Sequence, residues 1–419
     1  MWHTSTKLWP VARIVLGMMG LAATAVVVIH AAAPSCGTKA RVRKEIRDLT
    51  DSEFAAWTEA MNTMKKSGQF TQYVAVHQQF TLPAHFGVLF LAWHRRFIWQ
   101  FETDVLAITG DRLKGIPYFD PFMSYGIFDP KHPRYIGEAN GCILTGPFKG
   151  WWSAEGACVQ RTMGMTPPTF VDPRAITQLA MADAAFSDYA TSYENTQHAD
   201  VHTAIGGQMA TLQFSTNDVA FWLHHAHVDQ VWWARQYANN QARFWDYSGT
   251  HTPGGVGQVT LNTPIPPWQD PVGSVVDTYS TMCVDYMDPQ SALAAPPVSV
   301  LTKRDLAARG PGATDPHAAF KIFAFDRSMP LVRCTPLSAE RLAPLGQTVE
   351  RMVEGCKIVN AVIDAMEREQ RPHDEWPMMH DIVREVHTPG PVGGGTLGTW
   401  PRVNKRHLVW NSTTTNAAS

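Results

Sequence analysis

Two stretches decide the fold and the chemistry of this chain: His198-Ala199-Asp200-Val201-His202, and Asp218-Val219-Ala220-Phe221-Trp222-Leu223-His224-His225-Ala226-His227-Val228-Asp229. His198 and His202 are spaced i and i+4, so on a helix they share one face and can grip one ion. Glu194 lies one turn further back on that face, placed to hydrogen-bond a ligand or a bound water. His225 opens a second helical pattern in which Asp229 can orient its surroundings. A His-x-x-x-His pair alone is about as often two unrelated surface histidines. Here it accompanies the apolar run Phe221-Trp222-Leu223, and buried imidazoles need partners, of which a metal is a good one. Of the histidines at 224, 225 and 227, only one can face an ion along a given helix face. The choice falls on His225, leaving His224 as a hydrogen-bonded core histidine and His227 near the site mouth.

Upstream stand His77, His85 and His94. On a continuous helix His85 and His94 would point to opposite faces, and Pro83 supplies a break. His77 and His85 are therefore expected in or near loops and His94 on the helix that follows. Three imidazoles can hold one copper, zinc, iron or nickel ion with open positions for a ligand. Two such triads imply two metals.

The surrounding 419 residues are 45% hydrophobic and 11% aromatic with 15 Trp, the composition of a well-packed globular protein. A net charge of −2 gives no electrostatic reason to expect nucleic acid or an anionic membrane as partner. Residues 1–33 read as a signal peptide: Lys7 and Arg13 precede an uncharged run from Ile14 to Ile29, followed by Ala31-Ala32-Ala33. That run is short for a bilayer span of about 20 residues, and no later segment is apolar enough. A secreted chain without stable membrane association is expected, cut before Ala33 because Pro34 follows it. The 6 cysteines then read as disulfides. Proximity pairs Cys142 with Cys158 and Cys334 with Cys356, leaving Cys36 with Cys283. Asn411-Ser412-Thr413 is a glycosylation sequon in a polar tail.

Helical periodicity covers residues 48–66 (capped by Asp48 or Thr50), 91–108, 174–193, 217–240 and 345–370. Residues 109–172, rich in Gly, Pro and aromatics, form a long ordered excursion. Residues 241–275 read as loop. Composition shifts after about residue 288: 289–315 looks like a linker holding the dibasic Lys303-Arg304. Residues 316–419 form a small C-terminal extension that opens with a strand-like run over 321–325.

The run from His85 to Glu102 (His-Phe-Gly-Val-Leu-Phe-Leu-Ala-Trp-His-Arg-Arg-Phe-Ile-Trp-Gln-Phe-Glu) resembles the first copper signature of the tyrosinase and catechol oxidase family, and Asp218 to Asp229 resembles the second. Arg43, Arg47, Gly146-Pro147-Phe148 and Cys283-Val284-Asp285-Tyr286 look like further landmarks, closest in pattern to short secreted fungal-type members. The resemblance extends over residues 34–288. It implies a mainly α fold: a four-helix bundle core housing a binuclear, type 3 copper site, with long ordered loops. His77, His85 and His94 would hold one copper, and His198, His202 and His225 the other. With O2, such a pair oxidises small phenolic or catecholic substrates to o-quinones. Phe90, Trp93, Phe221 and Trp222 are candidates for the apolar wall.

Departures from the family pattern are informative. Pro83 stands where many members carry a cysteine bonded to the second histidine, so no such crosslink is expected. Ala199 replaces an Asn found in many monophenol-active members, and Leu212 stands where relatives place the residue that gates the copper. Both favour oxidation of o-diphenols over hydroxylation of monophenols. An o-aminophenol oxidase and a haemocyanin-like O2-binding protein without turnover are the alternatives. Relatives often carry a C-terminal extension that covers the site until it is cut away, and Lys303-Arg304 marks where such a cut could fall.

Overall fold

A computed structural model describes residues 40–121, 125–163, 179–180, 185–237, 243–251, 253–278, 281–287, 333–336, 338–346 and 348–369. The expected signal peptide, linker, dibasic pair, 321–325 strand and sequon all lie outside these residues.

Helix α1 (Asp51–Ser67) begins at Thr50, whose side chain and that of Glu53 cap each other's backbone reciprocally. Its buried positions Trp57, Ala60, Met61 and Met64 fall on one stripe. Gly68, in the left-handed region, ends α1, and the chain restarts at once as α2 (Gln69–Gln79). His77 is thus on a helix, which corrects the loop expected for it. The break supplied by Pro83 comes later: a single turn, Thr81–Ala84, ends at His85, whose backbone is extended. His94 then sits on α3 (Leu89–Thr109), which is apolar on most of its circumference and buried accordingly.

The second histidine pair lies on a composite helix. Helix α4 (Phe186–Tyr193) passes into a π-helical turn (Glu194–His198) and continues as α5 (Ala199–Ile205). Helix α6 (Val219–Tyr237) carries His224, His225 and His227 and packs along α3. Trp222 stacks on Phe101 with ring centroids 3.5 Å apart and meets Phe70 and Tyr73 edge-on. It belongs to the core between helices rather than to a wall facing the histidines.

Short strands tie the periphery. Besides a two-residue pair at Pro264–Ile265 and Asp270–Pro271, they are β1 (Arg41–Arg43), β2 (Asn140–Cys142), β3 (Gln160–Thr162), β4 (Gly249–His251), β5 (Gly257–Val259) and β6 (Val284–Tyr286). β2 and β3 pair antiparallel beside the Cys142–Cys158 disulfide, and β4 and β5 form a second antiparallel pair inside the stretch expected to be loop. β6 returns to pair in parallel with β1, Arg41 opposite Val284. Cys283 is disulfide-bonded; its expected partner Cys36 lies outside the described residues.

Where β1 and β6 meet the helices, a buried ionic network closes the domain. The Arg43 guanidinium donates to both oxygens of Glu102 on α3, to Asp229 on α6 and to Tyr286 on β6. Asp229 also accepts from Arg95, the neighbour of His94, and from the Tyr286 hydroxyl. Each charge in it faces an opposite charge, the condition under which buried charges are tolerated, although Nη2 of Arg95 has no hydrogen-bond partner.

The C-terminal piece docks on the histidine helices. Helix α7 (Val349–Glu369), tied to Cys334 through Cys356, packs against α4 and the π turn. Ahead of it, the Pro344 carbonyl accepts from Leu212 N–H at 2.8 Å. The Gly346 backbone lies against Phe86 and Leu212, leaving no room for a side chain there. Arg351 places its guanidinium 4.7 Å over the Phe86 ring.

Candidate metal centre

The ring nitrogens that His77, His85 and His94 can offer a metal lie within 4.8 Å of one another, and so do those of His198, His202, His224 and His225. The two groups adjoin. His94 and His225 stack with centroids 4.3 Å apart, and the Phe90 ring sits between the groups, 4.9 Å from His94 and 4.7 Å from His198. Phe221 stacks on His225 at 4.1 Å, and Trp93 lies 5.0 Å from His94.

Backbone carbonyls set the tautomers. Nδ1 of His85 faces Thr81 O at 2.9 Å and that of His94 faces Phe90 O at 3.0 Å; for His198 the partner is Glu194 O at 3.1 Å and for His202 Met209 O at 2.7 Å. A carbonyl only accepts, so each Nδ1 carries the proton and each Nε2 presents a bare lone pair. Nε2 of His202 and Nε2 of His225 converge to 3.2 Å. Nε2 of His94, Nε2 of His198 and both ring nitrogens of His77 have no hydrogen-bond partner.

Burial pushes these imidazoles down, His85 to about 3 and His202 to about 4, with His77, His94, His198 and His225 also held well below the ordinary value. They are neutral at pH 7 and available as ligands. Buried unpaired lone pairs are costly to fold around, and two soft-to-borderline metal ions, one per group, satisfy them. The all-imidazole donor set suits copper.

His224 differs from the core histidine expected of it. Both its ring nitrogens lack a hydrogen-bond partner, and it stacks on His198 within the second group. His227 is not at a site mouth. It is 1% exposed, its Nδ1 meets Gln230 Oε1 at 3.0 Å, and its ring stacks on Tyr118. Two positions past His225 is more than half a turn around the helix, which points it away from the metals.

Glu194 acts on this region at two points. Its backbone carbonyl orients His198, as above, while its carboxylate Oε1 accepts Phe86 N–H at 2.6 Å. Oε2 has no partner. Burial raises the carboxyl to about 8, against the pull of the Phe86 N–H and the Arg351 charge. Ala199 is buried directly after His198, and Leu212 sits under the C-terminal segment. Asp229 orients Arg95, beside His94, rather than a histidine directly.

Three residues at this site carry no sequence signal that singles them out. Phe86 holds φ at +67° with a bulky side chain, and Tyr247 and His251 come from a Gly-rich stretch read as loop.

An all-imidazole pair of metal sites between helices α2, α3, α5 and α6 defines a binuclear metalloprotein. Residues 67–238 match the family model described as the common central domain of tyrosinase. Tyrosinase-like protein tyr-3 of Caenorhabditis elegans is 30% identical over 211 residues, 46% of this chain but only 30% of that protein. Tyrosinase of Streptomyces antibioticus is 29% identical over 266 residues, 55% of this chain and 93% of the relative. Among solved structures, a polyphenol oxidase variant from Thermothelomyces thermophila superposes with a TM-score of 0.52 at 20% identity, covering 61% of this chain and 91% of that one. Residues 67–238 therefore carry a central domain of the tyrosinase kind, and the family to which that domain model belongs uses a pair of copper ions.

Proposed function

We propose that this protein is a secreted copper oxidase that uses O2 to oxidise o-diphenols to o-quinones. In this reading His77, His85 and His94 hold one copper, and His198, His202 and His225 the other. The observation that carries it is the pair of adjoining, buried imidazole groups, in which backbone hydrogen bonds at Nδ1 leave the Nε2 lone pairs of His85, His94, His198 and His202 bare. His225 is preferred to His224 because its Nε2 converges on that of His202 and its ring is fixed between His94 and Phe221.

The bound pair supplies two-electron redox exchange between a catechol and dioxygen. One catechol gives up two electrons and two protons, and reduction of O2 to water takes four of each, so two catechols turn over per O2. The chain's own groups orient and shield. Phe90, Phe221 and Trp93 surround the histidines and exclude water. Glu194 Oε2 is the carboxyl oxygen left to hold a water, or to take a phenolic proton once the group ionises near pH 8. Ala199 and Leu212 shape the substrate side, and with no amide after His198 the reading favours diphenols over monophenols. The disulfides Cys142–Cys158 and Cys334–Cys356 support an oxidising, extracellular location.

One observation favours a second reading. The segment around Pro344, Gly346 and Arg351 lies on Leu212 and Phe86, and a site so covered would admit O2 before a phenol, as in an O2-binding protein. Proteolytic removal of the extension would reconcile the two. The test is oxygen uptake by copper-loaded protein with 4-tert-butylcatechol, tyrosine and o-aminophenol, before and after limited proteolysis. Quinone from catechol alone supports the diphenol reading. Two coppers per chain with no turnover on any substrate, even after cleavage, leaves the carrier. Fewer than two coppers per chain overturns both.

A further inference from the structure

We propose that His251, through the segment 247–251, is the positioning residue that fixes the His85 loop and so holds copper in the His77, His85 and His94 group. This rests on the copper assignment made above.

His85 is the one histidine of its group carried outside a helix: its backbone is extended, between the Thr81–Ala84 turn and the start of α3. The next residue, Phe86, has φ at +67°, a conformation disfavoured for a bulky side chain. Strain of this kind persists only where the surroundings over-determine it. Pro83 has no side-chain donor or acceptor with which to help.

The restraint comes from β4 and the residues leading into it. His251 Nδ1 accepts from Leu89 N–H at 3.2 Å, and its Nε2 donates to the Leu82 carbonyl at 3.1 Å. One neutral imidazole therefore bridges the two ends of the loop that carries His85. It also satisfies Leu89 N–H, one of the amides that a helix start leaves without an intrahelical partner. Four residues earlier, the Tyr247 hydroxyl donates to Val88 O at 2.6 Å. Between His85 and Val88, Gly87 presses against the imidazole: a Cβ there would come within 2.5 Å of His251 Nδ1. His251 itself is fully buried and holds no described carboxylate. Its hydrogen bonds all go to the loop.

This bridge needs one acceptor and one donor at fixed separation, which gives discriminating substitutions. His251→Leu keeps bulk and loses both bonds. His251→Gln keeps an acceptor and a donor. Gly87→Ala displaces the ring from the opposite side while leaving His251 in the sequence. The readout is copper per chain, by atomic absorption, during a timed chelator challenge of the full-length holoprotein, with the unfolding temperature of the copper-free protein recorded in parallel.

Positioning groups around metal ligands typically contribute 10–100-fold in metal affinity. His251→Leu and Gly87→Ala are expected to lose one of two coppers about 10–100-fold faster than the parent, the second copper leaving at the parent rate. His251→Gln is expected to restore retention. Parent-like release of both coppers from His251→Leu and Gly87→Ala overturns the proposal. So does equal loss of both coppers in proportion to a fallen unfolding temperature, which marks a general packing role. If His251→Leu does not fold, Gly87→Ala and His251→Gln decide the matter. A parent protein that never binds two coppers refutes the copper assignment instead.

Discussion

A guanidinium buried without carboxylates would unfold most domains, and Arg43 is buried with three polar partners supplied by three different elements. Asp229 is the hinge of that arrangement, because it serves Arg43, Arg95 and Tyr286 together. Replacing it by Asn leaves two buried cations short of charge. Breaking a buried pair in this way costs about 3–5 kcal/mol. Asp229→Asn is therefore expected to lower the urea midpoint of the copper-free protein well beyond the effect of a surface Asp→Asn change, and an unchanged midpoint would show the network to be dispensable. Glu45 yields a pH prediction with a definite sign. Burial lifts its carboxyl from 4.5 to about 7, against the pull of Arg47. The folded protein holds that proton more tightly than the unfolded chain, so the group's contribution is complete below pH 4.5 and is lost as pH rises through about 7. Glu45→Gln cannot titrate. Its denaturant midpoint is expected to fall less than the parent's between pH 5 and pH 8, and parallel curves would refute the assignment.

At the scale of elements, legibility followed length and periodicity. The helices read over 48–66 and 91–108 stand as Asp51–Ser67 and Leu89–Thr109, because apolar stripes and the Thr50–Glu53 cap are written locally. Helix α2 does carry a stripe at helical spacing, Phe70, Tyr73, Val74 and His77, but it starts at a left-handed glycine directly after α1 with no capping side chain, so nothing in the sequence marks where it begins. The π turn had no signature either, since an extra residue per turn changes spacing by less than sequence pattern can resolve. Three-residue strands such as β4 are likewise too short to show a period of two, which is why His251 passed unnoticed inside an apparent loop. The six histidines were visible because their chemistry is rare, whereas the convergence of His224 on the second group and the burial of His227 depend on rotations that only tertiary packing fixes. The π turn has a consequence of its own. Such turns concentrate at functional sites, and this one spans Glu194 to His198. Deleting Asn195 would let the segment run as a plain α-helix in which four residues at about 100° turn nearly as far as five in the π turn, so His198 and His202 keep nearly their present angle to α4. The variant is expected to keep both coppers, measured by atomic absorption. Loss of the copper proposed for His198, His202 and His225 would show that the turn itself sets the ligand geometry.

Over the whole molecule, the C-terminal helix and the domain share one face. Helix α7 packs on the π turn, and the residues before it lie on Phe86 and Leu212. Cutting the chain between residues 289 and 332 and separating the fragment is expected to raise catechol oxidation several-fold, chiefly through a lower KM, as Leu212 and Phe86 become exposed. Unchanged rates would place substrate access elsewhere.

The parallel pairing of β1 with β6 constrains how the protein can be made. Arg43 meets Glu102 across a separation of 59 residues, Asp229 across 186 and Tyr286 across 243. On a ribosome the first strand emerges long before its last partner exists, so the charge at Arg43 has to stay in water until Tyr286 has been synthesised. All six histidines of the proposed copper site are out by then. A nascent chain of this protein thus displays its ligands before it owns a closed interior, and metal arriving early would meet an open, mispairable array of imidazoles. The seam that completes the domain is also what delays a selective metal site until synthesis has passed residue 286.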